Sequence, residues 1–125
     1  MPFKSEQRRY PRYEYSAEVK VGGPGSGNER VIGSIVNVSM GGCLIRFYEA
    51  TIFEDDMAVE ACLRGYHVVF RAMGVVRRRS ERGYLIGISF THLSDRGQID
   101  LKELIRVLAL RSRIDWLDTR RRISG

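Results

Sequence analysis

Three features of the sequence predict a mainly β fold, in which six antiparallel strands form a closed or nearly closed barrel and one C-terminal α-helix packs against it. Between about residues 16 and 90, apolar and β-branched residues recur at every second position in short runs separated by turn residues, the pattern of half-buried strands. No strand–helix alternation of the dinucleotide-binding kind interrupts them. Beyond residue 95 the apolar spacing switches to three and four, the period of an amphipathic helix. Closing the strands on themselves also removes edges that would otherwise invite aggregation.

The first strand is expected from Ser16 to Val21. The loop Gly22-Gly23-Pro24-Gly25-Ser26-Gly27-Asn28 follows; it lacks the Lys-Ser/Thr ending of a phosphate-binding loop and reads as a hairpin connection. The second strand covers residues 30 to 36. The third, about 43 to 48, sets Cys43, Ile45 and Phe47 on one face and Leu44 and Arg46 on the other. Residues 49 to 56 carry Glu49, Glu54, Asp55 and Asp56, whose spacing is not that of a calcium loop, and a solvated turn is expected. Strand four spans about 57 to 64 and strand five about 67 to 78, with Gly74 marking a bend or bulge. Residues 79 to 83 form a turn, and strand six covers 84 to 90. The helix is expected from about 96 to at least 112, with Leu101, Leu104, Ile105 and Leu108 on the barrel side and Ser94 or Asp95 as its cap. The apolar stripe continues through Leu110, Ile114 and Leu117, broad enough for a second contact. A homodimer through this helix, or an effector protein at its surface and Trp116, is the expectation.

The 125 residues suit one domain, and 43% hydrophobic content can supply one modest core. The expected organisation is a flexible basic arm over 1–15, the barrel and helix over 16–112, and a helix extension or basic tail over 113–125. No apolar run reaches the length of a membrane span. The N-terminus is polar and basic, without the apolar core of a secretory signal, so a cytoplasmic protein is expected. Cys43 and Cys62 show no metal-ligand spacing and read as buried free thiols. His67 and His92 are the only histidines; neither belongs to a recognisable catalytic motif, so no enzyme, no catalytic residue and no metal site are expected. The net charge is +6, and the basic residues are 18 Arg against 3 Lys. That bias favours phosphate and flat rings, which the planar guanidinium grips and stacks upon.

Two motifs give the charge a destination. Arg8-Arg9-Tyr10-Pro11-Arg12 places Arg8 and Arg12 four apart, ahead of the first strand. Asn37-Val38-Ser39-Met40-Gly41-Gly42 lies between the second and third strands and reads as a polar turn, with Gly41-Gly42 open to positive φ and to close approach of another group. Arginine in a mobile arm beside a polar-glycine turn suits a ligand carrying both phosphate and guanine: guanidinium can hold phosphate or donate to guanine O6 and N7, while an asparagine carbonyl or serine hydroxyl can accept from the purine's N–H groups. The order Arg-x-x-x-Arg then Asn-x-Ser-x-x-Gly resembles the signature of the PilZ domain family, and the resemblance extends through Gly74-Val75-Val76-Arg77 and Gly87-Ile88-Ser89-Phe90, over roughly residues 6 to 111.

The resemblance implies a cyclic di-GMP receptor with a PilZ-like barrel. In such a protein Arg8 and Arg12 grip phosphate and guanine, Arg9 is a further contact, Asn37 and Ser39 read the guanine, and Gly42 shapes the turn. It also implies an arm that orders on binding and relays the signal to an effector protein, as in regulation of motility or exopolysaccharide. Two alternatives remain at this stage: a PilZ-type interaction module that binds no nucleotide, and a single-stranded nucleic-acid barrel stacking bases on Tyr10, Tyr13 and Tyr15. DNA or RNA is not the expected partner, because the strands show no run of exposed aromatics.

Overall fold

The computed structural model describes residues 10–24, 30–65 and 68–124, with side chains through Arg113 except that of Glu81. Its strands are β1 (Tyr13–Glu14), β2 (Glu18–Gly22), β3 (Val31–Ser39), β4 (Gly42–Phe47), β5 (Ala58–Gly65), β6 (Val68–Arg79) and β7 (Leu85–Leu93), and the helix α1 spans Asp95–Ser124. The six longer strands pair in the order β3-β2-β5-β6-β7-β4, and β3 pairs with β4 to close the ring. Every pairing is antiparallel. This is the six-stranded barrel with a C-terminal helix that the alternating pattern predicts.

Inward positions of the strands make the core: Val19 and Val21 of β2, Ile35 and Val38 of β3, Ile45 and Phe47 of β4, Val59 of β5, Val76 of β6, and Ile86 and Ile88 of β7 are all buried. Fully burying each such side chain contributes about 1.5–3 kcal/mol. Cys43 shares this interior, and burial pushes its thiol up to about 12.

The barrel end after β4 corrects one expectation. Residues 49 to 56 do not simply form a solvated turn. Phe53 is 5% exposed and tilts against Phe47 with ring centroids 5.9 Å apart. The buried Thr51 hydroxyl donates to the Gly83 carbonyl at 2.8 Å. Gly83 holds φ +72 and has Thr51 packed against it, a left-handed conformation that suits a residue without Cβ. The acidic residues of the loop stay outside, where Asp56 meets Arg77 at 3.3 Å.

Two bulges shape the wall. Val36 is the extra residue of β3, since Ile35 pairs with Ile45 and Asn37 with Leu44. Arg77 is the extra residue of β6, since Val76 pairs with Ile88 and Arg78 with Gly87. A further irregularity falls between Met73 and Gly74, as the glycine suggests.

The helix begins at a Ser94 cap. Its hydroxyl accepts the Gly97 N–H at 3.0 Å and its carbonyl accepts the Gln98 N–H at 2.9 Å, satisfying donors that a helix start leaves open. Leu101, Leu104 and Leu108 are buried, and the helix packs on β6 with further contacts to β1 and β7. It continues well past residue 112, to Ser124.

The chain ahead of β2 is part of the sheet from Tyr13 onward, so the arm expected over residues 1–15 is anchored at its C-terminal end. Tyr13 pairs with Val38 and Glu14 with Asn37. Tyr15 N donates to Val36 O at 3.3 Å, and Ala17 O accepts from Ile35 N at 2.8 Å. Residues 13 to 22 thus run along β3 as one interrupted strand. Tyr13 and Tyr15 pack against the core.

Candidate functional site

The second motif straddles the β3–β4 hairpin, and the structure moves its first half from turn to strand. Asn37, Val38 and Ser39 are the last residues of β3; the connection itself is Met40-Gly41, and Ser39 pairs with Gly42. The β-branched Val36 and Val38 favour continued pairing, and Val38 is fully buried. Alternation then puts Asn37 on the outer face of the barrel.

Ser39 has a local role. It is 8% exposed. Its hydroxyl accepts the Gly41 N–H at 3.1 Å and lies 3.5 Å from Gly42 O, so it organises the turn. Gly42 is needed for a reason other than ligand approach. A Cβ there would stand 2.1 Å from Ile88 O in β7, inside any allowed contact. Neither Gly41 nor Gly42 adopts a left-handed φ. The glycine lets β4 and β7 meet, and Phe90 N reaches past it to Gly41 O at 2.8 Å.

The described end of the first motif, Tyr10 to Arg12, reaches the same corner. Arg8 and Arg9 lie outside the described residues. Arg12 is exposed and immediately precedes β1. Tyr10 lies over the turn: a Cβ on Gly41 would meet its ring at 3.0 Å. Arg12, Asn37, Ser39 and Gly42 are therefore brought together, with the arm entering across Gly41.

The sequence reading missed three features of this corner. Tyr10 covers the glycine turn. Glu14, exposed, is the cross-strand partner of half-buried Asn37 and puts a carboxylate on the same face. An open cleft of about 240 Å³ runs from Met40 past Phe90, His92 and Leu93 to Gln98 and Leu101 of α1, joining the hairpin to the helix. Only Tyr10 carried a local signal, as the aromatic residue inside the arginine motif; the others depend on pairing between distant segments.

The outer face offers hydrogen-bonding and cationic groups, and the tyrosines expected as stacking platforms are largely spent. Tyr13 and Tyr15 pack on the core, leaving Tyr10, 43% exposed, to stack a base. Among the described residues no group of three or more His, Cys, Asp or Glu side chains is placed to hold a metal ion. No helix among them is long and apolar enough to cross a membrane.

The pattern of the PilZ domain matches residues 6–107. The PilZ domain of YcgR from Escherichia coli, solved with c-di-GMP, superposes with a TM-score of 0.69 at 15% identity, covering 87% of this chain and 96% of that one. The Bacillus subtilis inhibitor of motility MotI/DgrA gives a TM-score of 0.67 at 16% identity, over 90% of this chain and 56% of that one. The K. pneumonia MrkH–c-di-GMP complex gives 0.63 at 18% identity, over 86% and 55%. The chain thus spans nearly all of the isolated domain but little more than half of the two longer proteins. No curated protein matches the sequence.

Proposed function

The chain belongs to the PilZ domain family, and from that premise we propose that it is a cytoplasmic receptor for cyclic di-GMP that acts by binding and passes the signal to a partner protein. The observation that carries this reading is that the described end of the first motif meets the second at one corner of the barrel, with Tyr10 over Gly41 and Arg12 one residue before Tyr13, the cross-strand partner of Val38.

The chemistry follows from the ligand's edges. Guanine presents O6 and N7 as acceptors, and Arg8, Arg9 and Arg12 supply forked donors for these and for the phosphates. Its N1–H and N2–H₂ groups are donors; the Asn37 carbonyl accepts from them, and Glu14 adds a charged acceptor where Asn37 has none. Ser39 and Gly42 hold the hairpin on which Asn37 stands. With ligand bound, the arm closes over it. The ordering cost is offset by charge-assisted bonds of about 1.5–3 kcal/mol each.

The output surface in this reading is α1. Ile99, Val107 and Leu110 are exposed along it, and β1, the arm's anchor, touches the helix. An effector or a second copy docks there. Light scattering with and without cyclic di-GMP checks the dimer: an unchanged monomer mass in both states leaves the effector.

Calorimetric titration of cyclic di-GMP into the purified protein tests the receptor. Saturable binding is expected, lost in an Arg8→Ala/Arg12→Ala double variant whose thermal unfolding matches the parent. Absence of binding to the parent protein rejects the receptor and leaves an interaction module.

A further inference from the structure

The outer wall of the barrel holds a glycine that the fold does not ask for. Gly33, Gly42 and Gly74 also lie inside strands, and a Cβ on any of them would come within 2.8 Å of a neighbour. A Cβ on Gly87, in the middle of β7, would meet nothing nearer than Arg78 Cβ at 3.4 Å and Leu44 Cδ1 at 3.9 Å, which is ordinary contact. Its φ is not left-handed. Glycine weakens a strand interior, and where no bulge or bend of its own strand explains it, close approach by another group does. The neighbouring bulge supplies no such explanation, because its extra residue is Arg77 of β6.

That bulge supplies a second observation. Val76 is fully buried, so simple alternation would point Arg77 out and Arg78 in. Inserting Arg77 lets both face outward and sets Arg78 beside Gly87; re-aiming a side chain is a recurrent use of bulges. The registers then define one continuous outer row: Glu14, Asn37, Leu44, Gly87, Arg78. From Asn37 to Arg78 is three strand spacings, roughly 14 Å. Gly87 is a shallow floor in this row, with the half-buried Leu44 on one side and the exposed Arg78 on the other.

We propose that this row extends the nucleotide site beyond the two motifs, with one flat face of cyclic di-GMP lying on Leu44 and Gly87 and its far guanine held by Arg78. The proposal rests on the cyclic di-GMP reading above. It assigns Arg78 the role of far anchor, stacking on the base or donating to O6 and N7, and gives the site the length of a dinucleotide rather than of one nucleoside.

The test is calorimetric titration of cyclic di-GMP into the full chain and into Gly87→Val, Arg78→Ala and Arg79→Ala variants, each with its thermal unfolding midpoint. Arg79 pairs with the inward Ile86 and serves as a charge-matched control. Gly87→Val and Arg78→Ala are expected to weaken binding about tenfold or more at unchanged midpoints, with Arg79→Ala within about twofold of the parent. Should valine lower the midpoint, Gly87→Ala replaces it. Parent-like affinity in Gly87→Val and Arg78→Ala overturns the extended floor while the receptor stands. Equal losses in Arg78→Ala and Arg79→Ala overturn it too, by reducing the effect to overall charge. No binding by the parent chain removes the receptor and this inference together.

Discussion

The barrel has two unlike outer walls. On the β2–β5–β6 side the rows read Glu18, Arg64, Val69 and Lys20, Cys62, Arg71, mostly long side chains standing in solvent. Glu60 of that wall is paired with Arg30, which also donates to Cys62 Sγ at 2.9 Å. On the β3–β4–β7 side the two rows beside the hairpin read Asn37, Leu44, Gly87 and Ser39, Gly42, Ser89, with short or half-buried side chains, and the long exposed Arg46 enters only in the next row, between Ser34 and Leu85. Both walls rest on one buried core, and packing accounts for Gly42 and Ser39 on the second wall but not for Gly87. A wall bearing long charged groups presents itself to water, whereas rows of glycine, serine, asparagine and one half-buried leucine leave the surface beside the hairpin open to contact.

Substitutions can break this contrast at several strengths. The largest effect is expected from Gly42→Ala, which drives a Cβ into the Ile88 carbonyl of β7 and should cost about 3 kcal/mol or more of stability. Chemical denaturation should show that loss in Gly42→Ala and hardly any in Gly87→Ala, although the two glycines lie on adjacent strands. Equal losses would mean that the wall's glycines are all structural. Next comes Ser39→Ala, which leaves the Gly41 N–H without its side-chain acceptor and should cost about 1 kcal/mol while weakening cyclic di-GMP binding through the hairpin. Unchanged binding would show that the turn tolerates its loss. Lys20→Ala and Arg71→Ala on the far wall should change stability by no more than about 0.5 kcal/mol and leave calorimetric affinity alone; a loss of affinity there would erase the distinction between the walls.

The thiols sharpen the picture without any substitution. Cys43 points into the core, where burial holds its thiol neutral up to about 12, while Cys62 is half-buried on the far wall. Alkylation of the folded protein at pH 8 should modify Cys62 before Cys43, as mass spectrometry would show. Because the folded thiol ionises only above the ordinary value of 9.0, Cys43 contributes stability below pH 9 that is lost as pH rises toward 12.

The strands were legible because each half-buried segment carries its own period of two; Val19 with Val21 and Ile86 with Ile88 need no partner to be recognised. The Phe53 plug was not, because residues 49 to 56 have no period and one aromatic among four carboxylates looks solvated. The extent of α1 was hidden for the opposite reason: arginine is a good helix former, so Arg120-Arg121-Arg122 suit a helix as well as a tail. At the site, the residue types and order of both motifs were readable, but Ser39 and Gly42 have structural reasons that only their neighbours reveal. Glu14, Gly87 and Arg78 were invisible because cross-strand register in this row joins residues as far apart as Leu44 and Gly87, and a bulge at Arg77 decides which way one of them faces.

The helix also sets a mechanical scale. With 30 residues at about 1.5 Å each, α1 is a rod of roughly 45 Å, longer than any strand it leans on. Its root is Ser94, the residue directly after β7, the strand that carries Gly87 and Ser89. A tilt of about 10° at that root would swing the far tip by roughly 8 Å. Because Leu101, Leu104 and Leu108 are buried, such a tilt must repack the helix on the barrel, and a partner protein at the tip would register that repacking as a displacement.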